Sequence, residues 1–159
     1  MSPRPEPFVI GVAERIDIPS WHVRGLAAKV DTGARTSALH VENLREIGSD
    51  HVRFDIPLVP GRRERHVTVD ARIIRHARVR STNGESRPRI FVSVQIKLGP
   101  LERQIELGLV DRTQMQFRML IGRSAIARAC LVDVSKTYLL TRKPKSKRRA
   151  AKARGKRSP

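Results

Sequence analysis

Short runs in which apolar and polar residues alternate make up most of the chain. In the clearest run, apolar side chains occupy every second position from Ile90 to Leu98. Such alternation indicates a strand with one face towards a core and the other towards solvent. Turn residues such as Asn83-Gly84 separate the runs. A series of short strands between turns predicts an all-β barrel or sandwich.

The same patterns set the expected bounds of the elements. The expected strands are residues 8–18, 21–30, 37–47, 51–59, 67–80, 90–98, 101–110 and 131–140. Ile74 interrupts the alternation of the fifth strand, which predicts a bulge. A helix of about two turns is expected over residues 124–129, where small and apolar residues follow Gly122.

The length of 159 residues suits one domain with a modest core. We expect a disordered N-terminus over residues 1–7, which hold three prolines, and a barrel domain over residues 8–141. Residues 142–159 hold ten lysines or arginines and no acidic residue. We therefore expect them to form a disordered basic tail.

The single cysteine, Cys130, excludes an intramolecular disulfide, which is consistent with a reducing compartment. Its apolar neighbours predict a small buried side chain rather than a reactive thiol. We expect no leader peptide, and the sequence has no apolar stretch as long as a membrane-spanning helix. We expect a cytoplasmic protein without a membrane partner.

The loop Asp31-Thr32-Gly33-Ala34 follows directly after an apolar segment and is the strongest candidate for chemistry. The glycine permits a tight turn that brings backbone N–H groups close to the carboxylate. The hydroxyls of Thr32 and Thr36 are expected to bond neighbouring backbone groups and fix the loop. A carboxylate held in this way shares one proton with a second carboxylate and activates a water molecule. One member of the pair then acts as base and the other as acid.

A second segment, residues 119–123 (MLIGR), has apolar residues and a glycine just before the expected helix. Together with the Asp31 loop it resembles the retropepsin-like aspartic proteases. The resemblance implies a small closed barrel with one short C-terminal helix, in which this segment lies beneath the loop. It also implies that Asp31, Thr32 and Gly33 are catalytic. The two motifs lie further apart than in the compact viral members, so extra chain is expected between residues 44 and 70.

Two arginine-rich stretches, residues 78–89 and 111–123, narrow the resemblance. They look like the bacterial RimK-associated family labelled ATP-dependent zinc protease, which includes RimB-type proteins, over roughly residues 8–140. RimK is the ligase that adds glutamates to the C-terminus of a ribosomal protein. The resemblance therefore implies an aspartic-type peptidase that trims α-linked glutamate tails, with a RimK-type ligase and a ribosomal protein as partners.

The zinc and the ATP of that label find no matching residues in the sequence. It has no His-Glu-x-x-His motif, no cysteine pair and no Gly-x-x-x-x-Gly-Lys-Ser/Thr loop. The five histidines lack the spacing of metal ligands: His22, His40, His51, His66 and His76. We expect no metal and no cofactor.

An acidic, glutamate-rich peptide substrate fits the arginine content, because a guanidinium group holds a carboxylate through two hydrogen bonds. In the simpler interpretation, many of these arginines only form a solvated face. We expect substrate contacts from the residues after the catalytic glycine and from four arginines in the two stretches. These candidates are Ala34, Arg35, Thr36, Arg80, Arg112, Arg118 and Arg123.

One Asp-Thr-Gly sequence supplies only one catalytic carboxylate. Retropepsin-like enzymes solve this by dimerising, which leads to the hypothesis of a homodimer with the two Asp31 carboxylates facing each other. The alternative is a pair within one chain, with an acid such as Asp111.

The charge is also compatible with a different class of function. The net charge is +18, and lysine and arginine release counterions from phosphates. The alternative to an enzyme is therefore a non-catalytic basic module that binds a ribosomal protein or RNA. Aromatic residues for base stacking are only 4% of the chain, so any RNA contact through residues 142–159 is expected to be non-specific.

Overall fold

The computed structural model describes residues 3–59, 61–62, 64–81, 83–111 and 116–141. Within these residues the chain forms eleven β-strands, one short α-helix and a 3-10 turn at Pro19–Trp21. The helix is α1 (Arg123–Ile126). The strands are β1 (Phe8–Gly11), β2 (Ala13–Ile18), β3 (Val23–Val30), β4 (Ser37–His40), β5 (Glu42–Ile47), β6 (His51–Pro57), β7 (His66–Arg80), β8 (Ser86–Leu98), β9 (Leu101–Val110), β10 (Met119–Ile121) and β11 (Cys130–Asp133).

Six strands close into a barrel in the order β2-β3-β10-β4-β9-β8, and Asp17 of β2 pairs with Lys97 of β8 to complete the ring. Strands β7, β6 and β5 continue the sheet from β8 outside the ring. Strands β1 and β11 form a separate parallel pair. The expected all-β closed barrel with one short helix near its C-terminal end is confirmed.

Alternation along the strands turns one face of each towards the core. In β8, Val94 and Ile96 are buried, whereas Lys97 beside them is exposed. Two of the few aromatic residues, Trp21 and Phe54, belong to this largely aliphatic core. The ring of Trp21, in the 3-10 turn, meets that of Phe54 edge-on with the centroids 5.5 Å apart, which packs β6 against the barrel.

Several expected elements are confirmed. Strand β9 has the expected bounds, and the β7–β8 register shifts between Ile73 and Arg75, where the bulge at Ile74 was expected. Residues 42–57 form β5 and β6 outside the ring, in the region where extra chain was expected.

Two expected strands are each divided in the structure. The run over residues 8–18 is β1 followed by β2, and the run over residues 37–47 is β4 followed by β5. In both cases the chain changes pairing partner at the break, since β1 pairs with β11 and β5 with β6. Local alternation continues across such a break and does not reveal it.

The expected strand over residues 131–140 is wrong beyond Asp133, where β11 ends. Residues 134–141 run as bends and turns along β2 instead. They make individual backbone hydrogen bonds to β2 instead of a continuous strand pairing. For example, the Tyr138 N–H donates to the Ala13 carbonyl oxygen at 2.7 Å. This segment therefore docks on the barrel without joining its sheet.

The C-terminal helix is shorter than expected. Helix α1 ends at Ile126, and Arg128 soon after it has a left-handed φ of 65° that no helix continues through. Cys130, at the start of β11, is half-buried, and burial raises the pKa of its thiol, as expected for a packed rather than a reactive side chain.

The ends of the chain carry no further element of the barrel within the described residues. Residues 3–7 are exposed and have no regular structure. The expected basic tail, residues 142–159, lies outside the described residues. In the part of the chain that the structure describes, no helix has the length and apolar character needed to cross a membrane.

Candidate active site

The Asp31 loop joins two strands that are separated by a third. Strand β3 leads into the loop and β4 leads out of it, and β10 lies between them. Strand β10 runs parallel to β3 and antiparallel to β4. Both stems of the loop are therefore hydrogen-bonded to one short strand, which fixes the loop at the edge of the barrel.

Backbone bonds continue this attachment into the loop. The Asp31 N–H donates to the Ile121 carbonyl at 2.9 Å, and the Arg123 N–H donates to the Ala34 carbonyl at 2.8 Å. The resemblance implied that residues 119–123 lie beneath the loop, and the structure brings the two segments together.

Gly122 lies where the two segments are closest. Its N–H donates to the buried Ser37 hydroxyl at 3.0 Å. A Cβ atom at Gly122 would lie 2.4 Å from the Thr36 carbonyl carbon and 2.9 Å from that of Arg35. Since backbone atoms cannot move aside cheaply, only glycine allows the loop and β10 to approach this closely.

The Asp31 carboxylate is half-buried and only partly bonded. Its Oδ1 accepts the Gly33 N–H at 3.0 Å, as expected for a tight turn at the glycine. Within the described residues its second oxygen accepts no hydrogen bond. The group is therefore held at a set angle and keeps one oxygen for a water molecule or a second carboxylate.

The hydroxyl that fixes the loop differs from the expected ones. Among the described residues, neither Thr32 nor Thr36 donates or accepts a hydrogen bond through its hydroxyl, and Ser37 takes that role. The carbonyl of Thr32 accepts a bond from Nη1 of Arg123 at 2.9 Å. Arg123, expected to bind substrate, thus contacts the loop itself and positions it.

The other candidate arginines lie elsewhere. Arg80 is exposed at the end of β7, paired with Ser86 across the β7–β8 hairpin. Arg118 directly precedes β10, at the end of that strand away from Asp31. Arg112 lies outside the described residues. The candidate arginines therefore lie at three separate places, at the Asp31 loop, at the end of β7 and before β10, rather than together around the Asp31 carboxylate.

Asp111 does not lie beside Asp31. It follows β9, which β4 and β10 separate from β3, and its Oδ1 is 3.7 Å from Nδ1 of His40. His40 is buried at the end of β4 away from the loop, and its Nε2 is 3.6 Å from Glu42. Sequence reasoning missed this buried histidine between two acids, because β4 and β9 pair across a long stretch of chain.

The described residues include no group of three or more histidines, cysteines or acids placed to hold a metal ion. The zinc in the label of the resembling family therefore has no ligand set among the described residues.

A cleft of about 550 Å³ opens on the outer face of the barrel near the start of β10. Four arginines line it, and none of the described residues that line it is acidic: Arg15, Arg24, Arg65 and Arg118. Sequence reasoning selected only Arg118, since no local motif shows that β2, β3 and the loop after β6 meet at one place.

Comparisons with known proteins agree with this geometry. The family model "Retropepsin-like aspartic endopeptidase RimB" matches residues 9–143. Two proteins named "Probable alpha-L-glutamate ligase", from Shewanella pealeana and Parasynechococcus marenigrum, are 34% and 31% identical over 139 and 136 residues. The matches cover 86% and 84% of this chain but 30% and 29% of those proteins, so the chain spans about 30% of their length.

A solved structure has the same architecture. The crystal structure of a Legionella pneumophila protein of unknown function superposes with a TM-score of 0.70 and 25% sequence identity. The match covers 84% of this chain and 98% of that one, so the two proteins share the fold over most of their lengths.

Proposed function

The chain belongs to the RimB-like family of retropepsin-like aspartic endopeptidases, and from this premise we propose that it is an aspartic peptidase that trims α-linked glutamate tails. The observation that carries the proposal is the Asp31 carboxylate, with one oxygen on the Gly33 N–H and the other open within the described residues. A carboxylate with this spare oxygen is suited to take a proton from water.

The substrate class follows from charge and from the relatives. The chain has 33 basic and 15 acidic residues, which favours an acidic peptide over a neutral one. Relatives named as probable alpha-L-glutamate ligases carry a similar segment within a longer chain. A ligase that joins glutamates and a peptidase that removes them would act on the same tail, so we propose a RimK-type ligase and a ribosomal protein as partners.

The proposed chemistry uses two Asp31 carboxylates from two chains, since Asp111 lies three strands away. The ionised Asp31 takes a proton from water as the water oxygen attacks the peptide carbonyl carbon, and the protonated one gives its proton to the carbonyl oxygen. When the tetrahedral intermediate collapses, the C–N bond breaks, the leaving nitrogen takes the proton that came from water, and the second carboxyl recovers its own.

The proposed dimer contact includes the parallel pair β1–β11. Its outer side chains Val9 and Leu131, which pair with each other, are 45% and 58% exposed, and Val134 directly after β11 is 77% exposed. Exposed apolar residues in one place are typical of an interface. Light scattering of the wild type should give the mass of two chains. Leu131→Asp should shift it towards one chain and lower the activity at low protein concentration. An active protein that is strictly monomeric would exclude the paired-Asp31 mechanism.

The test of the activity is incubation with α-linked oligoglutamate, read by mass spectrometry. Wild type should shorten the peptide, and Asp31→Asn should slow glutamate release by about 10³-fold, since the amide cannot act as acid or base. Asp111→Asn is the matched control and should keep the wild-type rate. Equal rates for wild type and Asp31→Asn would show that the aspartic mechanism is wrong.

The basic tail supports a second, separable role. Residues 142–159 carry ten lysines or arginines without an acid, which favours non-specific RNA contact. Deleting them should weaken RNA binding and leave oligoglutamate trimming unchanged. If neither the wild type nor Asp31→Asn trims oligoglutamate, and the deletion removes RNA binding as the one measurable activity, the protein is a binding module rather than an enzyme.

A further inference from the structure

The arginine cleft beside β10 is built by strand register. Arg15 of β2 pairs with Ala27 of β3, and Ala28 pairs with Met119 of β10, so Arg118 lies level with Ala27. Ala28 and Met119 are fully buried, so the preceding residues Ala27 and Arg118 point outwards. The two arginines therefore flank one alanine on the outside of the barrel, with Cα atoms about 10 Å apart at ordinary strand spacing.

Small residues leave space for the two guanidinium groups. In the strand register, Ala27 lies between Arg15 and Arg118. Beyond it, a Cβ atom at Gly25 would lie 3.2 Å from Nη1 of Arg15, so the guanidinium packs over bare glycine backbone. Two guanidinium groups that line one cleft from either side of β3 can hold one anion between them.

Two arginines of this cleft have a buried nitrogen that finds no acceptor among the described residues. Arg15 Nε and Arg118 Nη1 are buried and make no hydrogen bond to the described chain. None of the cleft arginines forms an ion pair with a described residue. By contrast, Nε of Arg53 on β6 lies 2.6 Å from Oδ1 of Asp70. A buried N–H without an acceptor is costly, so the cleft is arranged for an acceptor from outside the chain.

The walls of the cleft favour a carboxylate on an aliphatic stem over a compact phosphate. Leu58 and Val59 line it together with the arginines. The methylene groups of a glutamate side chain would pack on this apolar wall while its carboxylate meets the guanidinium groups. A free phosphate would leave the wall uncovered.

The cleft also lies in reach of the candidate catalytic group. Ala27 and Lys29 lie on the same face of β3, Asp31 directly follows the strand, and four residues of extended chain span about 13 Å. An extended peptide covers that distance in about four residues. We propose that the Arg15–Arg118 cleft binds a glutamate side chain of the acidic peptide, about four residues from the bond at Asp31; this rests on the function proposed above.

Binding is tested apart from catalysis, on protein that carries Asp31→Asn. Affinity for α-linked hexaglutamate is measured by calorimetry with Arg15→Gln or Arg118→Gln added. Each should weaken binding by about 10- to 100-fold, as expected for a lost charged hydrogen bond. Arg72→Gln removes the same charge from an exposed arginine on β7 and should change affinity little. Equal affinity in the cleft variants and the Arg72 variant would overturn the proposal.

Two further measurements keep the test independent of folding and of ligand type. Ala27→Leu keeps every charge but fills the space between the guanidinium groups, and should weaken binding as the arginine variants do. Inorganic phosphate at the same concentration should fail to displace the peptide, and efficient displacement would overturn the assignment to a carboxylate. Thermal melting confirms that each variant is folded.

Chain length separates this proposal from the proposed activity. In wild type, kcat/KM should rise steeply once the oligoglutamate reaches about five residues, and Arg118→Gln should remove that rise. If wild type cleaves all lengths alike, the cleft assignment fails and the activity stands. If wild type cleaves none while hexaglutamate binding still depends on Arg15 and Arg118, the activity fails and the binding site stands.

Discussion

Glu14 and Asp31 are carboxylates at neighbouring strands of the barrel, and their surroundings are opposite. Glu14 lies in β2, paired with Ala28 of β3, and Asp31 follows the end of β3. Glu14 is fully buried, and its two oxygens accept four hydrogen bonds, from the N–H groups of Gly11, Leu140 and Thr141 and from the Thr141 hydroxyl. Asp31 is half-buried and accepts one.

The difference shows what each group is placed to do. Burial by itself raises the pKa of the Glu14 carboxyl, but the hydrogen bonds from Thr141, Gly11 and Leu140 together outweigh it, so the pKa is below its usual value. Glu14 thus stays ionised and fastens residues 134–141 to the barrel. A carboxylate with every acceptor site occupied has no capacity for water, whereas Asp31 keeps that capacity.

The largest effect is expected where the Asp31 loop is most tightly packed. Gly122→Ala would force a Cβ atom against the Thr36 carbonyl, so the loop and β10 must separate. We expect a loss of about 3 kcal/mol in the free energy of unfolding, measured with urea, and loss of oligoglutamate cleavage. Gly48→Ala is the control: it meets no atom within 4 Å and costs only the strain of its left-handed φ, about 1 kcal/mol.

Glu14→Gln should cost less, about 2 to 3 kcal/mol, because the amide replaces one acceptor oxygen by a donor that faces buried N–H groups. Urea unfolding of wild type and variant gives the difference. The control is Glu102, an exposed residue whose Oε1 lies 3.9 Å from Nζ of Lys97. Glu102→Gln should have the same free energy of unfolding as the wild type. A neutral effect of Glu14→Gln would mean that the C-terminal segment does not depend on the carboxylate.

The pH dependence of the same pair should follow the lowered pKa. A carboxyl whose pKa is lower in the folded chain than in the unfolded chain stabilises the fold above its unfolded pKa, near 4.5. That stabilisation is lost as the pH falls through the folded pKa. The gap in unfolding free energy between wild type and Glu14→Gln should therefore be constant from pH 7 to about 5.5 and narrow below about 4.5. A gap that persists unchanged at pH 3 would contradict this.

How far each carboxylate could be predicted depends on the sequence distance of its partners. Asp31 bonds Gly33, two residues away, and the loop was recognisable as a local pattern. Glu14 bonds Leu140 and Thr141, 126 and 127 residues along the chain. A periodic sequence pattern cannot show that positions so far apart are in contact. The apolar residues between 134 and 140 were therefore interpreted as part of a strand.

The residues of the candidate site also fall into those that the sequence could predict and those that it could not. Gly122 was expected at the loop because residues 119–123 form a contiguous motif that resembles the retropepsin-like proteases, and that resemblance implied a place beneath the loop. Arg15 was not selected, because its place beside Arg118 depends on the register of β2, β3 and β10. The all-β class was predictable, since alternation such as that of β8 survives in the structure, whereas the closed barrel was implied by the family resemblance.

The smallest expected effect on stability is that of Asp31→Asn. The Asn Oδ1 can accept the Gly33 N–H in place of the carboxylate oxygen, and the new amide group occupies the position of the oxygen that has no partner in the described chain. The free energy of unfolding should therefore change by no more than about 0.5 kcal/mol, while cleavage falls by about 10³-fold. Urea unfolding measured beside the cleavage assay decides the point. A loss of stability as large as that of Glu14→Gln would make Asp31 a structural carboxylate, and its lost activity would then report unfolding rather than chemistry.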